Sequence, residues 1–234
     1  SSDEVNFVLE TGGSSKWSDQ EISTENIQRY TINGTELSLK EELPSANMGD
    51  PASYSDFLNW GIENYPAEKY MTILWGYGDG VIGGAVQDEK YGNSVMSAKE
   101  IADAINDTGC QFELAGFDAS GMASFELAAA ISGSVHYMAA SESDEAECGW
   151  DYSTLTQTLV NSPDIDGRAL GTVICDSYMG KAAACQETDG AAMSVTDLTQ
   201  IGEVSNAVSV MSLLMDSCIS APDTMAAVSE GIKQ

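Results

Sequence analysis

Two apolar runs, Tyr70–Trp75 and Phe112–Phe117, each end in a short polar turn containing glycine, with room for one helix between them. Runs without polar alternation mark strands buried on both faces, as in parallel sheets covered by helices on either side. The intervening residues fit such a unit: Ser97 and Glu100 have capping-box spacing, Ile101 and Ile105 continue an apolar stripe, and Gly109 is a stop signal. Met122–Ile131 reads as the next helix and Val135–Ala140 as the next strand. Upstream, Asp50-Pro51 supplies an N-cap and a first-turn proline for a helix in which Tyr54, Phe57, Leu58, Ile62 and Tyr65 recur until Pro66. Downstream, Ala169–Tyr178 reads as helix, Ala192–Thr196 as strand and Leu198–Cys218 as a long helix. Val5–Leu9, running into Thr11-Gly12-Gly13-Ser14, reads as a strand, and Tyr30–Ile32 with Leu37–Leu39 as a hairpin about Asn33-Gly34. The alternation predicts an α/β fold with a mainly parallel sheet and a ligand site beyond the carboxyl ends of its strands. No repeat or linker-like run divides the 234 residues, so a single domain over 1–234 is expected.

Charge narrows the partners. With 37 acidic and 9 basic side chains the formal net charge is −28, which disfavours nucleic acid and anionic membrane surfaces and leaves cationic ligands open. The longest apolar stretches, such as Val204–Met215, are broken by polar residues, so no membrane insertion is expected. Five cysteines (Cys110, Cys148, Cys175, Cys185, Cys218) show no C-x-x-C spacing and have only His136 to help ligate a metal, which argues against structural zinc. Cys175 and Cys218 fall in helical segments, where cysteine usually serves as a small buried hydrophobe. No basic and apolar signal segment stands at Ser1, which fits either a cytosolic chain or one whose signal has been removed. The acid excess suits a protein kept dispersed outside a cell.

Two strand ends carry the residues of interest: Trp75-Gly76-Tyr77-Gly78-Asp79-Gly80 and Gly116-Phe117-Asp118-Ala119-Ser120-Gly121-Met122. With Val5, Thr11-Gly12-Gly13, Trp17, Asn47-Met48-Gly49-Asp50-Pro51, Phe57-Leu58, Tyr65-Pro66-Ala67, Ala140-Ser141-Glu142 and Gly149-Trp150-Asp151-Tyr152, they resemble in order the clostripain-like cysteine peptidases. The resemblance implies a caspase-like α/β/α sandwich. It also implies a catalytic dyad, a His in an Asn-His-Gly-type motif and a Cys in Asp-Ala-Cys, whose matching positions here hold Tyr77 and Ser120. A serine hydroxyl needs a neighbouring base, and a phenol with a reference pKa of about 10 is protonated at neutral pH and cannot serve. The resemblance further places an anion hole at the backbone N–H groups of Gly78 and Ser120 and makes Asp118 the floor of a pocket for Arg or Lys. As a residue between strand and helix, Asp118 has a second role open to it, that of helix N-cap. Tyr77 could offer a ring face to a guanidinium or plug the pocket.

Other residues bear on the chemistry that Tyr77 and Ser120 lack. His136 starts the strand Val135–Ala140, roughly 13 Å from a site beyond that strand's far end, and is expected to be a core or sheet-edge histidine. Cys148 is flanked by Glu142, Asp144, Glu145 and Glu147, which would raise a thiol pKa. That same segment, Glu142–Glu147, is raw material for a Ca²⁺ site, a cofactor the resemblance makes worth considering, although without EF-hand spacing it reads first as a solvated charged loop. Lys90 matches the place where the family can be cut during activation. The resemblance implies a further strand and helix ahead of the Val5 strand that are not in this sequence; with its acid excess, the chain is expected to be extracellular or at the cell surface. Three functions therefore compete: an inactive peptidase homologue that binds basic peptides or proteins at the old cleft, a weak Ser120-dependent hydrolase, and a structural or surface domain with no ligand at the cleft.

Overall fold

Buried strands have only one another to satisfy their backbone groups, and the computed structural model, which describes residues 1–219 except Asp3 and Thr35, shows how these pair. β1 (Val8–Thr11), β2 (Ile27–Asn33) and β3 (Glu36–Leu43) form an antiparallel sheet in that order, with β2 and β3 making the expected hairpin. α1 (Pro51–Asn64) leads into β4 (Met71–Trp75), and Asp50 caps it by accepting the Ala52 N–H. After the single turn α2 (Gly80–Gly83) come the hairpin β5 (Val86–Asp88) and β6 (Ser94–Met96), then α3 (Ala98–Asp107), whose Ser97–Glu100 capping box is present. The chain continues through β7 (Phe112–Asp118), α4 (Phe125–Ile131), β8 (Val135–Ala140), α5 (Tyr152–Asn161), α6 (Gly167–Cys185), β9 (Ser194–Asp197) and α7 (Ile201–Ile219).

The main sheet has the order β4-β7-β8-β9, with the first three strands parallel and β9 antiparallel at the edge. Because side chains alternate across a strand, Leu114, Gly116 and Asp118 of β7 share one face. There Leu114 joins Trp150, Leu155, Leu170, Ile174 and Tyr178 in a core closed by α5 and α6. On the opposite side α1, α3 and α4 supply Tyr54, Ile101, Ile105, Leu127 and Ile131, all buried, and the Tyr54 hydroxyl bonds Thr72 Oγ1 of β4 at 2.9 Å. This is an α/β fold with helices on both faces of a mainly parallel sheet. By packing, the chain divides into two units, Ser1–Leu198 and Thr199–Gln234; all three described sheets belong to the first, and α7 is the described helix of the second.

Two helices start later than their sequence patterns imply: α7 begins at Ile201, after a 3-10 turn over Leu198–Gln200, and α4 is displaced as well. α4 begins at Phe125, because the Ser124 side chain accepts the Leu127 N–H and acts as the N-cap. The residues before it form a loop tied to the end of β8, with Gly121 N–H on Ser143 O at 3.0 Å and Ala123 N–H on Ser141 O at 2.8 Å.

β2 carries a buried cation. Arg29 is 4% exposed, donates Nε to Glu10 at 2.7 Å and Nη1 to Glu41 at 3.1 Å, also pairs with Asp56 of α1, and stacks 5.2 Å from the Trp60 ring. Burial pushes the Glu10 carboxyl up to about 7 despite the arginine beside it. Removing one member of a buried pair strands the other, a loss of about 3–5 kcal/mol. Arg29→Ala is therefore expected to lose stability on that scale in urea unfolding, and a change below about 1 kcal/mol would show that the cluster does not hold β2 to α1.

Candidate functional site

The site lies where β4 and β7 end side by side. Their register pairs Trp75 with Asp118, and the ladder runs one step further through Gly76 N–H on Asp118 O at 3.1 Å. Two glycines are required beyond that point. A Cβ on Gly76 would stand 2.3 Å from Ala85 O, and one on Gly78, whose φ is +74°, would stand 2.1 Å from Ser120 N. The second contact shows how closely the two loops approach, and Ser120 N–H reaches Tyr77 O at 3.3 Å. Tyr77 and Ser120 are thus neighbours on one edge of the sheet.

The Ser120 hydroxyl is engaged within the protein. Its Oγ accepts the Glu145 N–H at 2.9 Å, and among the described residues no imidazole, amine or carboxylate hydrogen-bonds with it. Tyr77 is 75% exposed, so its ring does not fill the space beside Ser120. The Gly78 N–H is bonded to Ala85 O at 3.2 Å and the Ser120 N–H to Tyr77 O, so both amides assigned to an anion hole are engaged within the protein. His136 lies at the opposite end of the sheet, its Nδ1 3.2 Å from Glu113, as a partly exposed partner of that carboxylate.

Asp118 does not cap α4. It is 4% exposed and accepts two hydrogen bonds on Oδ2, from the Tyr152 hydroxyl at 2.8 Å and from the Trp150 N–H at 3.3 Å. Trp150 can lie over the strand only because residue 116 is glycine, since a Cβ there would meet the indole at 2.9 Å. The loop is held from the other side by Ala146 N–H on the Tyr178 hydroxyl at 2.9 Å and by Lys181 Nζ on Trp150 O at 2.8 Å. The motif Gly149-Trp150-Asp151-Tyr152, to which sequence reasoning gave no role, is the wall of the site.

Glu145 was the larger omission. It lies among carboxylates that suggest a solvated loop, yet its side chain turns inward against Asp118 while Glu142, Asp144 and Glu147 stay exposed. Both of its oxygens are buried without a hydrogen-bond partner, as is Trp150 Nε1; the indole and the Ala119 amide lie near the carboxyl without the alignment of a bond. Burial first, and contact with Asp118 second, push the Glu145 carboxyl up to about 9. Burial and the same carboxylate also hold the Tyr152 phenol well above its usual range. Among the described residues no group of three or more His, Cys, Asp or Glu is placed to hold a metal ion. No helix among them is long and apolar enough to cross a membrane. Lys90 sits in a one-turn 3-10 helix at the tip of the β5–β6 hairpin, paired with Glu25 at 3.3 Å. The Cys148 thiol is pushed up to about 11, chiefly by contact with the Cys185 thiol and then by burial, so it is protonated at neutral pH.

A mainly parallel sheet between two helical layers is a caspase-like α/β/α framework. Residues 17–229 match the model of the clostripain family, peptidase C11, and the chain belongs to that family. Among solved structures it is similar to a secreted C11 cysteine protease from Bacteroides thetaiotaomicron in complex with an irreversible peptide inhibitor. That likeness has 19% identity and a TM-score of 0.68 and covers 78% of this chain and 56% of that one. An inactive zymogen C11 protease from Parabacteroides distasonis is similar at 19% identity and a TM-score of 0.63, covering 85% of this chain and 53% of the other. The chain spans a little over half the length of these relatives. No curated protein matches it.

The shared burial of two carboxyls has a thermodynamic signature. Between about 4.5, the ordinary glutamate value, and about 9, the folded chain holds a proton on Glu145 that the unfolded chain releases, so stability present at low pH is lost as pH rises through this window. Glu145→Gln is expected to flatten that slope in urea midpoints taken from pH 5 to 9. Parallel slopes in variant and native chain would place the proton elsewhere.

Proposed function

We propose that this chain is a clostripain-family domain without peptidase turnover that binds a cationic side chain, arginine or lysine, of a peptide or protein at the former cleft. The Asp118–Glu145 pair carries this proposal: two carboxyls share one buried space at the end of the central strand, and neither oxygen of Glu145 has a hydrogen-bond partner. Like charges in a low-dielectric site hold a proton or attract a cation. A guanidinium could take the place of that proton and donate to both groups, each charge-assisted bond contributing about 1.5–3 kcal/mol. After the cost of ordering the partner, an isolated side chain would bind with a Kd on the order of 1 mM, so useful affinity would come from the rest of the peptide.

Loss of turnover follows from the chemistry around Ser120. A hydroxyl without a base is a poor nucleophile, and disabling the nucleophile or base of a well-studied serine peptidase costs about a millionfold in turnover. A location outside the cell forms part of the proposal, supported by the acid excess of the chain and by the secreted protease among its structural neighbours.

Two measurements test these statements. Arg- and Lys-containing fluorogenic peptides are expected to show no hydrolysis above buffer, whereas cleavage that disappears in Ser120→Ala would establish the weak hydrolase instead. In calorimetric titration at pH 7, an Arg-ending peptide is expected to bind with release of up to one proton, read from the dependence of the heat on buffer ionisation. That release should vanish in Glu145→Gln, and affinity should fall in Asp118→Asn. Equal, negligible binding by all three chains would remove the cleft as a receptor and leave a structural or surface domain.

A further inference from the structure

The loop that carries Glu145 and Trp150 meets the end of α6 at two cysteines. Cys148 lies on the loop, with its Sγ 3.9 Å from Lys181 O and its N–H 3.4 Å from Glu187 Oε2. Those partners bracket Cys185, the last residue of α6, one helical turn beyond Lys181 and just before Gln186, whose left-handed conformation ends the helix. The two thiols are in side-chain contact. Cys185 is exposed, Cys148 is partly buried, and neither is bonded covalently in this structure. Cys110 and Cys175, the other described free thiols, lie on different elements: Cys110 before β7, and Cys175 in the middle of α6, more than two turns before Cys185.

We propose that Cys148 and Cys185 are an oxidation site at which a disulfide forms and fastens the cleft loop to the C-terminal turn of α6. The oxidant is a low-molecular-weight disulfide. The exposed Cys185, as thiolate, attacks one sulfur of the oxidant and releases the first thiol. Cys148 then loses its proton and attacks the mixed disulfide at Cys185, releasing the second. Two protein thiols are oxidised to one S–S bond while the oxidant disulfide is reduced to two thiols, so electrons and protons balance. The contact between the thiol on the loop and the one on the helix supplies the proximity that the second step needs. The raised pKa of Cys148 suits its later role, because a thiol that stays protonated is slow to react with solution oxidants on its own. The bond would hold the loop against α6 whatever the cleft binds, so it stands apart from the proposed ligand.

The test is oxidation of the full chain with glutathione disulfide at pH 8, trapping with iodoacetamide, and digestion at Lys, Arg and Glu, which puts each of the five cysteines on its own peptide. The expected product is a Cys148–Cys185 cross-linked peptide, with Cys110 and Cys175 alkylated. The oxidised chain should melt roughly 5–10 °C above the reduced chain, as a single loop-closing disulfide in a protein of this size gives. That difference should be absent in both Cys148→Ser and Cys185→Ser. Each serine variant, kept reduced, should melt close to the native reduced chain, which separates loss of the cross-link from misfolding. Alkylation of both cysteines after oxidation, a bond from either to Cys110, Cys175 or Cys218, or a disulfide-linked dimer would overturn the proposal.

Discussion

A carboxylate buried at the end of a central strand must be bonded from the layer above it, and in this protein that requirement falls on Asp118. Its partners, the Trp150 amide and the Tyr152 hydroxyl, come from the segment entering α5, so satisfying one buried group draws the chain back across the carboxyl edge of the sheet. Gly116 admits the indole, and Tyr178 and Lys181 of α6 hold the same loop from behind. The cleft wall, the core under α5 and α6 and the environment of Ser120 all rest on that docking. Removing the Asp118 acceptor would leave the buried Trp150 amide unsatisfied, a cost of about 1–3 kcal/mol.

The same docking brings Glu145 against Asp118, and electrostatics then gives the site its character. A chain of net charge −28 has little reason to bury another carboxylate unless a proton or a cation comes with it. The protein keeps Arg29 as a counterion among Glu10, Glu41 and Asp56 in its antiparallel sheet, but among the described residues no Arg or Lys side chain bonds to Asp118 or Glu145. The two acidic clusters thus differ: one is neutralised from within the chain, and the other buries a glutamate whose carboxyl is pushed up to about 9. Around Ser120 the geometry is closed, with its hydroxyl and both neighbouring amides bonded inside the protein.

What was legible in the residue order was whatever depends on neighbours along the chain. Unbroken apolar runs marked β4 and β7, the run Val135–Ala140 matched β8 from end to end, and Asp50-Pro51 with Ser97–Glu100 gave the starts of α1 and α3, because capping and burial patterns act over a few residues. Those strand ends also put Tyr77 and Ser120 on one edge of the sheet. The start of α4 was misjudged by three residues, since Ser124 outcompeted an apolar pattern that continued upstream.

Tertiary structure decided what depends on contacts between distant segments. Four acidic residues within six positions look alike as a string, and only the fold turns Glu145 inward and leaves Glu142, Asp144 and Glu147 in solvent. Asp118 does not take the local role of cap, and its hydroxyl partner Tyr152 arrives more than thirty residues later. Nothing in the spacing of Cys148 and Cys185 brings them together; α6 does so by packing its last turn against the loop. The sequence by itself determined the α/β alternation and the family, since each is written in local pattern and residue identity. The environment of every one of those residues was settled by burial, which is a property of the packed chain.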